Sequence, residues 1–313
     1  MLKDKKCVLC KTENFLKYKL QPLNLDIFEC PVCGLAALSP LNINDNTYNE
    51  NYYYFNNYKK SAVFDDICKG HRLARYLKKY FPNSRKIFDV GAAAGITLNE
   101  LKNCGFEVSG LEISRAGVML AGKLFDIKLI QSDIEKYSEK INCDVLIMTD
   151  VLEHTINPID TLKKIYKLLD SGTGIIVETP NYGSFYRKLI GSHWVGFNKF
   201  HNYHFNYRVL TNILENTGFE VITKFTSNFN ILSIEGLWRL GVKDLLKSLL
   251  KKNSVSKKNS IVIKKEEIEL LTESELIFYK SLNALKALIN MPLNYLSEKL
   301  MMGDQLWIIA RKK

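Results

Sequence analysis

The stretch Lys86-Ile87-Phe88-Asp89-Val90-Gly91-Ala92-Ala93-Ala94-Gly95-Ile96-Thr97 constrains this chain more than any other. A short apolar run ends in an acid, a turn of small residues follows, and a helical pattern opens after it. Strand, tight loop and helix start in that order are the unit from which parallel α/β sheets are wound. In such sheets ligands bind beyond the carboxyl ends of the strands. There the backbone amides of a starting helix meet an anionic or polar group closely.

The alternation continues on both sides of the loop. An amphipathic helix over 59–81, stopped by Pro82, precedes it. After it, strands are predicted at 106–112, 128–130, 143–148, 175–179 and 219–225, separated by helical stretches, with a last strand at 305–310. Asn157-Pro158 reads as an N-cap followed by proline at the first helical position, and Asn206 reads as a second cap. The predicted fold is α/β: a Rossmann-like sheet over 59–235 with helices on both faces, closed by an antiparallel last strand at 304–313.

Ahead of this core, Cys7-x2-Cys10 and Cys30-x2-Cys33 are separated by nineteen residues. Each pair can aim two thiolates at one tetrahedral ion, which predicts a small zinc ribbon over 1–40. Four thiolates leave no open position, so the expected role of Cys7, Cys10, Cys30 and Cys33 is structural. Redox pairs, another tetrahedral metal and disulfides are the weaker readings. Residues 41–58, rich in Asn and Tyr, read as a linker or as a lid over the ligand.

The net charge of +11 is unevenly placed. Nine basic residues against one acid fall in 239–265, so little excess is left for the broad basic face of a nucleic-acid enzyme. No nucleic-acid partner is expected. Residues 236–303 read as a helical basic insertion. Within it, 237–252 is amphipathic, with Lys243, Lys247 and Lys251 on one edge. A docking or homodimer helix is the preferred reading, and contact with an anionic membrane surface the alternative. No run of eighteen apolar residues and no apolar leader is present, which sets the expectation of a cytoplasmic protein, peripheral at the inner membrane face if that contact forms.

Two phosphate-loop templates fail. No Gly-Lys-Ser/Thr follows Gly95, and the dinucleotide fingerprint would need glycine where Ala93 and Ile96 stand. The segment Asp89-Val90-Gly91-Ala92-Ala93-Ala94-Gly95 instead resembles the acid-x-Gly-x-Gly-x-Gly loop of class I S-adenosylmethionine methyltransferases, with Ala93 at the middle glycine. Glu112, twenty-one residues beyond Gly91, stands where an acid at the second strand end would receive the ribose hydroxyls, with Ile113 beside it. The resemblance implies that Asp133 and Ile134 border the adenine and that Thr149 and Asp150 close the methionine side. It further implies that Asp89 reaches that side through the loop or a water. Together with the ribbon cysteines, Glu178-Thr179-Pro180-Asn181 and the His-x-x-x-Phe at His201, the chain looks like a bacterial group related to the ubiquinone-pathway and sugar methyltransferases.

Methyl transfer mainly requires alignment of the acceptor, and a hydroxyl acceptor gains from a general base. His154, beside Glu153 after the fourth strand, and His201 in the aromatic stretch 193–205 are the candidates; a helix cap or a structural cofactor contact is the rival role for His154. The expected function is methylation of a small molecule, with the hydroxyl of a sugar or cell-surface glycan precursor preferred. C-methylation of a nucleotide-linked keto sugar and O-methylation of a quinone-type precursor are alternatives. A ribbon that recruits the core to a macromolecule is the non-enzyme reading.

Overall fold

The computed structural model of the protein describes residues 6–13, 15–20, 24–41, 59–227 and 268–313. Apart from residue 41, the expected linker or lid at 41–58 lies outside them, as does the amphipathic stretch 237–252.

Seven strands form the main sheet: β4 (Lys86–Val90), β5 (Glu107–Glu112), β6 (Ile130–Gln131), β7 (Val145–Thr149), β8 (Gly174–Pro180), β10 (Phe219–Ser227) and β11 (Gln305–Lys312). Their order is β10-β11-β8-β7-β4-β5-β6. β4, β5, β6, β7 and β8 pair in parallel, while β11 runs antiparallel to both β8 and β10, as the sequence predicted for a last strand. The third predicted strand shrinks to two residues, because β6 has only β5 to pair with, through Leu111 and Glu112.

Side chains alternate along each strand between two cores. Ile87, Val145, Ile147, Ile176 and Ile309 face α1 (Lys60–Tyr80), α2 (Ile96–Asn103) and α3 (Arg115–Phe125). Phe88, Leu146, Met148, Val177 and Ile308 face α4 (Pro158–Leu168) and α6 (Tyr207–Asn216). The two predicted asparagine caps form: Asn157 Oδ1 accepts the amides of Ile159 and Asp160, and Asn206 Oδ1 those of Arg208 and Val209. Two further helices among the described residues are α5 (Phe185–Ile190) and the long α7 (Glu273–Lys299).

The N-terminal cysteine module does not close on itself. Its strands β1 (Leu16–Leu20), β2 (Leu25–Glu29) and β3 (Ala36–Leu38) are joined by β9 (Tyr203–His204), a segment of the core. Ala36 pairs with His204 and Ala37 with Tyr203. Cys7, Cys30, Leu35 and Ala37 are buried in the same apolar cluster as Tyr203, Phe205 and Leu210. A module with so few apolar residues of its own is thus packed onto the face of the sheet that carries α4 and α6.

Candidate functional site

The strand order reverses between β4 and β7: the chain runs outward through β5 and β6, then returns to the other side of β4. Such a reversal opens a crevice at the carboxyl ends of the two strands. The loop after β4 enters it through three left-handed residues in alternation, Gly91 (φ 81°), Ala93 (φ 50°) and Gly95 (φ 78°). A side chain at Gly91 would place its Cβ 2.5 Å from Val151 Cγ2, and one at Gly95 would meet Ala121 Cβ at 2.9 Å. Both glycines are therefore needed for conformation and for space. Ala93 holds the same conformation at a cost of roughly 1–2 kcal/mol. Ala93→Gly should relieve that strain, partly offset by the freer unfolded chain, and stabilise the protein by about 1 kcal/mol. A thermal melt checks this, with Tm expected to rise by about 2 °C.

Glu112 clamps this loop from the end of β5. Its Oε2 accepts the amide of Ala93 (2.8 Å) and its Oε1 the amide of Ser114 (2.8 Å). Burial raises its carboxyl, and the amides of Ser114, Ala93 and Ile113 oppose that shift. Ala92 is buried in the core under the loop, and Ile113 is 37 % exposed beside it. Beyond β6, Asp133 Oδ1 accepts the amide of Glu135 (2.8 Å), while Ile134 is buried.

The opposite wall contains a charge cluster. Asp89 is buried, burial pushes its carboxyl up to about 8, and its Oδ1 has no hydrogen-bond partner. Lys69 of α1 reaches over from above: its Nζ lies 2.6 Å from Asp150 Oδ2 and 3.8 Å from Glu178 Oε2. Burial pulls the Lys69 ammonium down, but Asp150, Glu178 and Asp66 outweigh it and hold it well above the usual lysine range. Asp150, itself left-handed (φ 54°), is held low by Lys69 against the effect of burial. Thr149, half-buried, ends β7 opposite Glu178 of β8, whose carboxyl burial lifts to about 8.

Lys69, Asp66 and Glu178 were not among the predicted site residues. Gly70 offered a signal for the first two. A Cβ there would lie 2.5 Å from Glu100 Cβ, so α1 crosses α2 closely enough to bring Lys69 to the crevice.

Beyond β7, Glu153, His154 and His201 converge, with one ligand atom of each within 4.8 Å of the others. His154 Nδ1 meets Phe200 O at 3.0 Å and His201 Nδ1 meets Gly196 O at 2.8 Å. A carbonyl cannot donate, so both Nδ1 atoms carry the proton and the lone pairs fall on Nε2. The rings stand edge to face, 4.7 Å apart. Burial lowers both imidazoles, His201 to about 3. Glu153 is buried and driven well above the usual carboxylate range, and one oxygen accepts Thr179 Oγ1 (3.0 Å). Asn202 fixes the turn by donating to His154 O (2.9 Å). His154 caps no helix; Asn157 does. His193 is exposed, and His204 stacks on Tyr182 in an aromatic cluster against the cysteine module.

The four ribbon cysteines converge as well. Cys7 and Cys33 sulfurs lie 3.6 Å apart, Cys10 and Cys30 sulfurs 3.3 Å, and all four lie within 4.8 Å of one another. A tetrahedral ion with metal–sulfur bonds of about 2.3 Å would need edges of about 3.8 Å. The two turns are built alike. Lys11 N donates to Cys7 O and Gly34 N to Cys30 O, with Lys11 (φ 63°) and Gly34 (φ 78°) in matching left-handed positions. All four are free thiols, not disulfides.

The cofactor predicted from sequence fits these residues. The loop leaves no room for side chains at Gly91 and Gly95, and the buried Asp89 Oδ1 has an acceptor position that a donor from a ligand would fill.

A family model described as a methyltransferase domain matches residues 61–224, just over half of the chain. The ubiquinone biosynthesis O-methyltransferase of Thiobacillus denitrificans is 23% identical over 120 residues, covering 36% of this chain and 52% of that protein. The chain thus spans about half the length of that relative. Among solved structures, a Haloferax volcanii complex of the Trm112 methyltransferase activator with a methyltransferase is similar at 11% identity and TM-score 0.50, over 82% of this chain and 95% of the other. A SAM-dependent methyltransferase from Archaeoglobus fulgidus is similar at 18% identity and TM-score 0.46, over 78% and 94%. At these identities the structural likeness bears on the fold alone.

Proposed function

The chain belongs to the methyltransferase-domain family, and from that premise we propose that it moves a methyl group from S-adenosylmethionine to a hydroxyl of a small molecule. A sugar or cell-surface glycan precursor is the preferred acceptor. The observation that carries this reading is the left-handed loop clamped by Glu112, with Gly91 closed against Val151 of the turn that carries His154, itself in ring contact with His201.

When bound, S-adenosylmethionine supplies an electrophilic methyl group on a sulfonium. Gly91, Ala93 and Gly95 let the backbone approach the nucleoside, and Glu112 offers its remaining lone pairs to the ribose. Asp133, Ile113 and Ile134 would border the adenine. Lys69 would pair the methionine carboxylate, and Asp89 and Asp150 would receive the ammonium. On the acceptor side, His154 Nε2 is the base that takes the hydroxyl proton. His201, held near 3, is too weakly basic for that task and positions the acceptor. Glu153, bonded to Thr179, supports the turn from below. The four cysteines hold a structural zinc ion.

Turnover is measured as S-adenosylhomocysteine release over a panel of nucleotide sugars and sugar phosphates. His154→Ala should lower it by about 10²-fold or more, and His201→Ala by less, with S-adenosylhomocysteine affinity unchanged in both. Unchanged turnover in both variants removes the base. The convergence of a ring nitrogen from each of two imidazoles and a carboxylate oxygen within 4.8 Å favours a second reading, in which these three residues ligate a divalent ion that activates the hydroxyl. Mn2+, which a four-thiolate site does not favour, separates the two: the base reading needs none, the second reading needs one ion per chain.

A further inference from the structure

The long helix α7 is fixed at both ends and bare along its flank. At its start, Thr272 forms a capping box with Glu275, Lys60 Nζ pairs with Glu275 at 2.7 Å, and Tyr279 stacks on Phe64 at 5.3 Å. At its end, Asn181 Nδ2 donates to Met301 O (3.2 Å) and Gly303 O (2.7 Å), and Phe185 N donates to Met302 O (2.8 Å). The first anchor lies on α1, nine residues before Lys69. The second lies at the carboxyl end of β8, where Gln305 pairs with Pro180. The helix therefore lies along the edge of the sheet that carries the site.

Between these anchors Ile277, Phe278, Leu285, Leu288, Met291 and Tyr295 are each 55–67 % exposed. At 3.6 residues per turn they spread over somewhat less than half of the helix circumference. From 276 to 297 the only charged residues are Lys280 and Lys286; no acid occurs. The bare surface continues through Leu300 and onto α5, where Phe185 and Leu189 are 44 % and 56 % exposed beside the exposed Lys188. A run of large apolar side chains exposed together, and not singly, is the kind of surface that marks a contact with a partner or a membrane.

Two features identify what covers it. A seam for one partner helix is a narrow stripe, whereas a broad apolar flank suits a plane. The charges along this face are also basic: Lys280 and Lys188 are exposed beside it, and no acid occurs from 276 to 297. Apolar area with basic charge beside it is complementary to an anionic lipid surface.

We propose that α7, with the adjoining face of α5, seats this protein on an anionic membrane, with the acceptor mouth beside the bilayer. No helix among the described residues is long and apolar enough to cross a membrane, so the contact is peripheral. An acceptor reached in this position is lipid-borne; that corollary alone rests on the methyl-transfer reading.

The test is flotation of the full-length chain with vesicles of phosphatidylcholine containing about 30 mol% phosphatidylglycerol, against phosphatidylcholine alone. Binding should be at least about tenfold stronger to the anionic vesicles and should fall as salt is raised. The double substitution Leu285→Glu/Leu288→Glu should lose it, and the milder Ile277→Ser/Tyr295→Ser should weaken it. Affinity for S-adenosylhomocysteine, measured on the same preparations, reports folding and the site separately from the surface. Failure of the parent chain to float with anionic vesicles overturns the proposal, as does equal flotation of folded variants. A dimer in light scattering that the double substitution converts to monomer assigns the face to a second copy and overturns it too.

Discussion

Glu112→Ala should weaken S-adenosylhomocysteine binding by about 100-fold or more, the largest single-residue effect expected on the cofactor side. The carboxylate has two tasks. It accepts the amides of Ala93 and Ser114 at 2.8 Å each, and it is the acid proposed to receive the ribose hydroxyls. A hydrogen bond to a charged group contributes about 1.5–3 kcal/mol, so losing those to the ribose alone accounts for one to two powers of ten. Truncation also leaves two buried amides without an acceptor, at about 1–3 kcal/mol each, which loosens the loop before any ligand arrives. Calorimetric titration and a thermal melt on the same variant separate the two: both affinity and Tm should fall. Affinity within about threefold of the parent would show that Glu112 only braces the loop and does not bind the ligand.

Much of this arrangement was legible because it follows from local rules. The alternation around Asp89–Gly95 predicted a parallel sheet with an antiparallel last strand, and Asn157 and Asn206 fixed two helix starts through their side chains. The loop could be read because backbone handedness is written in small residues at 91, 93 and 95. Lys69 and Glu178 were less legible. Their proximity depends on α1 crossing α2 at Gly70, a contact thirty residues apart in sequence that leaves only one glycine as its trace. The four histidines of 154–204 were likewise indistinguishable by spacing. The fold sorts them by burial and partner: His154 and His201 to the crevice, His204 to an aromatic cluster, His193 to solvent. Nor did the spacing of the cysteines show that their sheet would borrow a strand from the core.

That borrowed strand leads to the second large effect. Stripping the proposed zinc, or substituting Cys30→Ser, should lower methyl transfer sharply while leaving the cofactor site nearly intact. Structural zinc is worth about 10 kcal/mol or more to a module of this kind, far beyond what the few apolar residues of β1–β3 can replace. Without it, β3 releases β9, and Tyr203 and Phe205 lose the cover of Cys30, Leu35 and Ala37. His201 lies two residues before β9, and Asn202, whose side chain holds His154 O, gives its own backbone carbonyl to Leu38 N at 2.9 Å. The turn that carries His154, the proposed base, is therefore tied to the cysteine module through Asn202 and the residues after it, whereas Glu112 and the glycine loop are held by β4, β5 and α3. The expected result is turnover reduced by about tenfold or more, S-adenosylhomocysteine affinity within a few-fold, and faster amide exchange in the cysteine module and, within the core, at 201–206. Full activity in protein shown by elemental analysis to be metal-free, with its thiols titratable, would mean that the sheet holds the turn without the ion. Equal loss of cofactor affinity would mean that the module supports the whole domain and not the acceptor side alone.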